Sequence, residues 1–128
     1  MPATDAFDLR ATLKRLDGDR GLFCELIGFF FEDYPTVFDQ LQKNLSDDNL
    51  PAAERAAHSL KGLVANVGSG PAALLAARIE DSARQKDIKA AMAALPELRR
   101  ELARLRLALE DFCAMPDPPG SGLNDGQD

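Results

Sequence analysis

The sequence predicts an all-α protein: an antiparallel up-down-up-down four-helix bundle with a short additional helix at its N-terminus. Apolar residues recur at helical spacing in almost every stretch before Met115, and no run alternates with a period of two. The four long helical patterns are joined by short connections, which favours antiparallel neighbours. With 128 residues, 45% of them hydrophobic, the chain has the size and apolar content of one domain with a single core.

Residues that start or stop helices bound each predicted element. Aspartate or asparagine caps and prolines mark the N-terminal ends, and glycine or polar turns mark the C-terminal ends. Proline inside a helix removes a hydrogen bond, so Pro35 should kink or restart the second helix and Pro96 should bend or delay the last one. The predicted elements are a short helix carrying Leu9, Leu13 and Leu16 up to residues 17–19, then helices from Asp19 to the turn at 46–49, from Asn49 to about Val67, from Pro71 to residues 85–87, and from about Ile88 to Cys113.

The chain is predicted to hold one domain and one tail. Residues 1–114 carry the helical patterns and form the bundle domain, whereas residues 115–128 are rich in proline, glycine and aspartate and should be a disordered acidic tail. Part of the formal net charge of -6 lies in this tail, so the folded part is only mildly acidic. This charge disfavours nucleic acid and anionic membrane surfaces as the main ligand.

Nothing in the sequence predicts export or membrane insertion. No segment approaches the ~18 consecutive apolar residues of a membrane span, and the N-terminus lacks a basic region followed by an apolar stretch. Cys24 and Cys113 lie far apart within apolar helical patterns, so we interpret them as buried thiols of a reducing compartment rather than a disulfide. We expect a cytoplasmic monomer that contacts no membrane.

The only histidine, His58, lies near the middle of the third predicted helix. A helical wheel places the apolar residues of this helix on the face opposite His58, so the imidazole should lie in water. One histidine and two distant cysteines cannot supply the usual ligands of zinc, and the G-x-S-x-G turn of a hydrolase is missing, so we expect no metal site and no independent catalysis. The neighbours of His58 on the exposed stripe are charged or very small, namely Glu54, Arg55, Lys61, Gly62 and Ala65.

An exposed imidazole can act as a nucleophile, because it is largely neutral near pH 7. Phosphoryl transfer asks for little more, since positioning and charge neutralisation supply most of its catalysis. Lys61, one helical turn beyond His58, can contact phosphoryl oxygens as a point charge. Gly62 is the unusual residue, because glycine inside a helix costs roughly 1 kcal/mol relative to alanine. A bare patch at Gly62, extended by Ala65, would let a partner approach the ring closely.

The residues around His58 also carry a family resemblance. Residues 57–62, Ala-His-Ser-Leu-Lys-Gly, followed by Gly68, resemble the H-x-L-K-G-x-x-x-x-x-G signature of histidine-containing phosphotransfer (HPt) domains. The resemblance implies that His58 is the phosphoacceptor, that Lys61 neutralises the phosphoryl group and that Gly62 permits close approach. Leu63 and Val64 depart from the small or hydroxyl residues often found after the signature glycine, so we expect no hydrogen bond from these two positions.

The similarity extends over nearly the whole chain, roughly residues 5–113. Downstream, residues 74–84 look like the next helix of the family, with Ile79-Glu80 in the place of its Leu-Glu pair. Upstream, residues 13–35 resemble the opening of the family, a turn followed by an apolar helix that ends in acidic residues and proline.

The resemblance implies a phosphorelay intermediate, which carries a phosphoryl group between receiver-domain aspartates and is not an autonomous enzyme. Its partners would be response regulator receiver domains and a hybrid sensor histidine kinase. The acidic pocket of the receiver would supply the aspartate and Mg²⁺, and this chain would bind no cofactor itself. Docking would use a stripe of Arg55, His58, Lys61, Gly62 and Ala65, with Glu54 and Ser69 at its rim.

Two other functions stay open on the sequence. The chain could be a helical adaptor that binds a receiver or another protein without phosphotransfer, although loss of His58 or Lys61 would be the signature of such an adaptor, and both residues are present. It could also be the phosphoacceptor domain of a chemotaxis-type histidine kinase. The tail after Met115 and the start at Met1 favour a free-standing protein slightly.

Overall fold

The structure, a computed structural model, describes residues 14–68 and 70–114. These residues form four α-helices: α1 (Arg20–Ser46), α2 (Leu50–Val67), α3 (Pro71–Arg84) and α4 (Ile88–Ala114). No strand occurs within these two ranges. The predicted all-α class and the bounds predicted for these four helices are therefore confirmed.

Side chains and prolines fix the helix starts where the sequence predicts them. The carboxylate of Asp19 accepts a hydrogen bond from the Leu22 N–H at 3.0 Å, which caps α1. The Asn49 side chain accepts one from the Ala52 N–H at 3.3 Å, and a proline occupies the first turn of α2. At the other end of α2, Gly68 has a φ of 144°, a conformation that side chains disfavour.

Neither proline inside a helix interrupts it. Helix α1 runs through Pro35 and α4 runs through Pro96. The expectation of a restart at Pro35 and that of a delay at Pro96 are wrong, whereas a kink or bend at these prolines stays a prediction. Buried side chains on both sides of each proline, among them Phe30 and Phe38 in α1, bind each helix to one core and offset the lost hydrogen bond.

The helices pack in chain order around a single core, and α4 returns to α1. The antiparallel arrangement is visible in contacts that join the start of one helix to the end of its neighbour. Glu54, early in α2, contacts Arg84 at the end of α3, and Arg20, at the start of α1, stacks on Phe112 near the end of α4. The largest fully buried side chains come from all four helices: Phe23, Ile27, Leu41, Leu45, Leu60, Val64, Val67, Ile79, Leu98, Leu105 and Leu109.

The α1–α4 interface is built differently from the other three, because these two helices share the fewest close backbone approaches of the neighbouring pairs. Arginines stacked on aromatic rings bridge it: Arg20 over Phe112 at 4.5 Å, Arg99 over Phe38 at 5.0 Å and Arg106 over Phe31 at 4.5 Å. Arg20 also donates a hydrogen bond to the Phe112 carbonyl.

A disulfide between Cys24 and Cys113 closes one end of the α1–α4 interface, with Cα atoms 5.9 Å apart. The expectation of two separate buried thiols is therefore wrong, and each cysteine is only partly buried. The fold brings together positions separated by 89 residues, a pairing that helical periodicity within each segment does not reveal.

Parts of two predictions lie outside the described residues. Of the short N-terminal helix, the structure describes only its last residues and the turn after it, where Asp17 and Gly18 have φ values of 56° and 75°. The tail predicted at residues 115–128 is not described. Within the described ranges, no helix combines the length and the apolarity required to cross a membrane.

Candidate functional site

The imidazole of His58 projects from the solvent-facing side of α2, and its side chain is 67% exposed. Its position follows from the helical period, because Ala57, Leu60 and Val64 turn towards the core and are fully buried. The wheel therefore predicts the exposure of His58 correctly. In the structure Ala57, the residue before His58, is fully buried, so the exposed histidine directly follows a core residue.

Glu80, from the neighbouring helix α3, holds one side of the imidazole ring. Its Oε2 lies 3.0 Å from Nδ1 of His58, and its Oε1 lies 2.8 Å from Nζ of Lys61. A carboxylate only accepts hydrogen bonds, so this contact requires the ring proton on Nδ1. The lone pair of neutral His58 is then on Nε2, the nitrogen that no protein atom of the described chain contacts within hydrogen-bonding distance.

Glu80 is nearly buried, with 8% of its surface exposed, and three cationic or ring groups surround it. Besides His58 and Lys61, Arg84 donates to Glu80 Oε2 at 3.2 Å. Arg84 also binds Glu54 at 3.1 Å and Asp81 at 2.7 Å. This network ties α2 to α3 and fixes Glu80 below His58.

Burial raises the pKa of the Glu80 carboxyl, but hydrogen bonds and charge from Lys61 and His58 lower it by more. The net result is a Glu80 pKa below the ordinary glutamate value. Glu80 is therefore ionised at neutral pH and can act as a fixed negative charge against the imidazole.

This depressed pKa predicts a pH-dependent stability. A carboxyl whose pKa is lower in the folded protein stabilises the fold above its unfolded pKa, and this contribution is lost as the pH falls through the folded value. We expect Glu80→Gln to unfold about 1–3 kcal/mol more easily than wild type at pH 7. The difference should shrink as the pH falls through the folded pKa of Glu80, because glutamine and the protonated carboxyl are then both neutral. Urea titrations of both proteins at several pH values measure it, and a difference that grows as the pH falls below the ordinary glutamate value would contradict the assignment.

Sequence reasoning missed Glu80 and Arg84 as site residues. In the sequence, Glu80 stands out only as half of a family-like pair, and Arg84 only as the end of a matching stretch. One signal was present, since Glu80 falls on the apolar stripe that Ala76, Ile79 and Ala83 form along α3. A single charge on an apolar stripe must find a partner, and here that partner is on another helix.

The predicted stripe is only partly assembled as expected. Arg55 is exposed, and Lys61 and Ala65 are half-buried. Glu54 binds Arg84 and lines a pocket together with His58 and Glu80. Lys61 Nζ is bound to Glu80 rather than free in solvent. Ser69 lies outside the described residues. Val64 is fully buried and Leu63 packs partly against the core.

A groove runs beside Gly62, between α1 and α2. It encloses about 570 Å³. A Cβ atom added to Gly62 would meet no atom within 4 Å. The glycine is therefore not required by close packing within the bundle, and it leaves the surface beside it open. The groove is lined by Asp33, Thr36, Val37, Ser59, Gly62, Leu63 and Asn66.

The site offers one exposed nucleophile, His58, near two cationic side chains, Lys61 and Arg84. Among residues 14–68 and 70–114, no cluster of three or more His, Cys, Asp or Glu side chains could hold a metal ion. His58 Nε2 can attack an electrophile that arrives from solvent, and Lys61 can neutralise negative charge on it.

Comparisons with known proteins identify a family and a similar fold. The family model described as "Hpt domain" matches residues 25–108, which include His58, Lys61, Gly62, Glu80 and Arg84. The crystal structure of the histidine-containing phosphotransfer protein ZmHP2 from maize is similar in fold, with a TM-score of 0.70 and 21% sequence identity. That match covers 84% of this chain and 79% of the maize chain. A search of curated proteins gives no significant match.

Proposed function

Because the chain belongs to the Hpt domain family, we propose that it carries a phosphoryl group on His58 and exchanges it with receiver-domain aspartates in a two-component phosphorelay. The observation that carries this proposal is the arrangement of His58, whose Nδ1 is held by Glu80 while Nε2 faces solvent. This arrangement presents the nucleophilic nitrogen without any rearrangement of the chain.

In the proposed transfer, Nε2 of His58 attacks the phosphorus of an aspartyl phosphate. The new N–P bond forms as the bond between phosphorus and the aspartate oxygen breaks, and the aspartate leaves as a carboxylate on the partner. Glu80 holds the Nδ1 proton and stabilises the positive charge that develops on the ring. Lys61, which binds Glu80 before transfer, is one turn from His58 and can turn its ammonium group towards the phosphoryl oxygens.

This chain would act as a carrier, and its partner would complete the catalytic site. The receiver would supply the aspartate and a Mg²⁺ ion that would neutralise phosphoryl charge, so the chain itself would bind no cofactor. Receiver domains of response regulators and a hybrid sensor histidine kinase are the proposed partners of a cytoplasmic monomer. A modest, transient interface suits such an exchange.

The partner would dock over the predicted stripe and the groove beside it. Gly62 and Ala65 place no long side chain next to His58, while Leu63 and Val37 offer apolar contacts in the groove. Arg55 is exposed and available to an acidic receiver surface. Glu54 would lie at the rim, and Ser69, predicted there too, lies outside the described residues.

Gly62 gives a prediction in which stability and transfer change in opposite directions. A longer side chain should stabilise α2 by about 0.5–1 kcal/mol, because glycine is a poor helix former. The same side chain would stand between His58 and the receiver. We expect Gly62→Gln to raise the free energy of unfolding but to slow phosphotransfer by about tenfold or more, which corresponds to ~1.4 kcal/mol of lost contact.

Gly28 provides the matched control for this substitution. It is an exposed glycine of α1 at which an added Cβ also meets no atom within 4 Å, and it does not line the groove. Gly28→Gln should gain the same stability and keep the wild-type transfer rate. If both variants slow transfer equally, the surface at Gly62 has no special part in docking.

The transfer itself is tested with a radiolabelled, phosphorylated receiver and Mg²⁺. Label should move to this protein, be lost in acid and survive base, as expected for a phosphoramidate, and mass spectrometry of base-stable peptides should place it on the peptide containing His58. Measurable binding to several phosphorylated receivers without any transfer of label would instead support the adaptor function.

A further inference from the structure

We propose that Cys24 and Cys113 form a reversible oxidation site, at which a peroxide oxidant closes a disulfide across the α1–α4 interface and a dithiol reductant reopens it. Nothing in the phosphoryl-transfer proposal uses these residues. The inference starts from their position, since the fold brings two cysteines separated by 89 residues to a Cα distance of 5.9 Å. This Cα separation lies within the normal range for a disulfide.

The surroundings of the pair allow both states to exist. Each cysteine is partly buried, so a small oxidant or reductant can reach the sulfurs. The disulfide is not the only link across this interface, because arginine–aromatic pairs also bridge it and Phe23 and Leu109 are fully buried in the core. The reduced protein should therefore stay folded.

The location of the pair makes its oxidation consequential. The α1–α4 interface has the sparsest backbone packing of the four interfaces between neighbouring helices, and it joins the first of these helices to the last. A covalent link between them closes a loop of nearly the whole bundle, and long loops gain most from such a link. Oxidation therefore adds a covalent bond to the interface with the sparsest backbone packing.

The oxidation step balances with hydrogen peroxide as the two-electron acceptor. The thiolate of one cysteine attacks a peroxide oxygen, the O–O bond breaks, and the leaving hydroxide takes a proton to become water. The second thiolate then attacks the resulting sulfenic acid, and the S–S bond forms as a second water leaves. A dithiol such as dithiothreitol returns two electrons, restores both thiols and is itself oxidised to its cyclic disulfide.

The test compares the full-length protein after treatment with dithiothreitol and after treatment with hydrogen peroxide. Peroxide should lower the intact mass by about 2 Da and block both cysteines from alkylation, as loss of two thiol hydrogens requires. The melting temperature should rise by roughly 10 °C. Treatment of the folded protein with dithiothreitol should restore the mass, the alkylation and the melting temperature of the reduced form. The assay contains no receiver, so its outcome is independent of the proposed phosphotransfer.

Cys24→Ser and Cys113→Ser are the matched controls, since each removes one sulfur and leaves the α1–α4 stacking intact. Neither variant should lose 2 Da as a monomer or gain melting temperature with peroxide. The proposal is overturned if both wild-type thiols stay open to alkylation after peroxide, if the oxidised and reduced proteins melt together, or if the disulfide resists dithiothreitol in the folded protein.

Discussion

Replacing His58 with glutamine should abolish phosphoryl acceptance while leaving the fold intact. The amide of glutamine can still donate to Glu80, but it has no nucleophilic nitrogen lone pair. Removal of a covalent nucleophile typically lowers turnover by at least about 10³-fold, so no label above background should reach His58→Gln from a phosphorylated receiver. Because the side chain is 67% exposed, the free energy of unfolding should change by no more than about 0.5 kcal/mol.

Moving the histidine by one position tests whether its location matters. In the double variant His58→Gln, Ser59→His, the imidazole remains exposed on α2 but is rotated by about 100° around the helix, away from Glu80 and Lys61. Label should not return. Recovery of transfer in this variant would mean that any exposed histidine on the surface suffices and that the contact with Glu80 has no role.

Glu80→Gln should slow phosphoryl acceptance and also slow the spontaneous loss of the phosphoryl group. A charge-assisted hydrogen bond is worth about 1.5–3 kcal/mol, so losing the one that fixes the Nδ1 proton should reduce acceptance by about 10- to 100-fold. The glutamine amide can donate to Nδ1 and favour the tautomer whose Nε2 is protonated and not nucleophilic. Phosphohistidine hydrolyses through its protonated ring, and without the carboxylate that proton is held less firmly, so the phosphorylated form should last longer.

Asp81→Asn is the matched control for this variant. Asp81 also binds Arg84, at 2.7 Å, but it does not line the groove beside Gly62 or the pocket at His58. Its loss should therefore leave the rate of acceptance within about twofold of wild type, as for a surface ion pair worth little. Rapid quench of the transfer reaction gives acceptance, and decay of purified label gives the lifetime. If acceptance falls and decay accelerates in Glu80→Gln, Glu80 stabilises the product rather than the ring proton.

The helices could be read from the sequence because their signals are local. Asp19, Asn49 and the residues after them bring the cap and the capped N–H within one turn, so each start is determined by a few adjacent residues. The exposure of His58 follows in the same way from the period of α2. The restart predicted at Pro35 does not occur, because core packing against other helices outweighs the local free-energy cost of proline in α1.

The features that the sequence could not provide all depend on contacts between helices. Glu80 contributes to the site only because the short turn between α2 and α3 places it across from His58, 22 residues away. The pairing of Cys24 with Cys113 needs the whole bundle to be closed. The periodicity of a segment states which face is buried, but it does not state which residue of another helix will meet that face.

The meeting of Cys24 and Cys113 also determines how the bundle can be joined to other domains. With their Cα atoms 5.9 Å apart, the chain enters α1 and leaves α4 at one corner of the bundle. A domain whose entry and exit points coincide can be inserted into a surface loop of a larger protein without forcing the two flanking parts of the host apart. The same geometry makes the bundle suited to circular permutation, with new ends opened at the turn between α1 and α2.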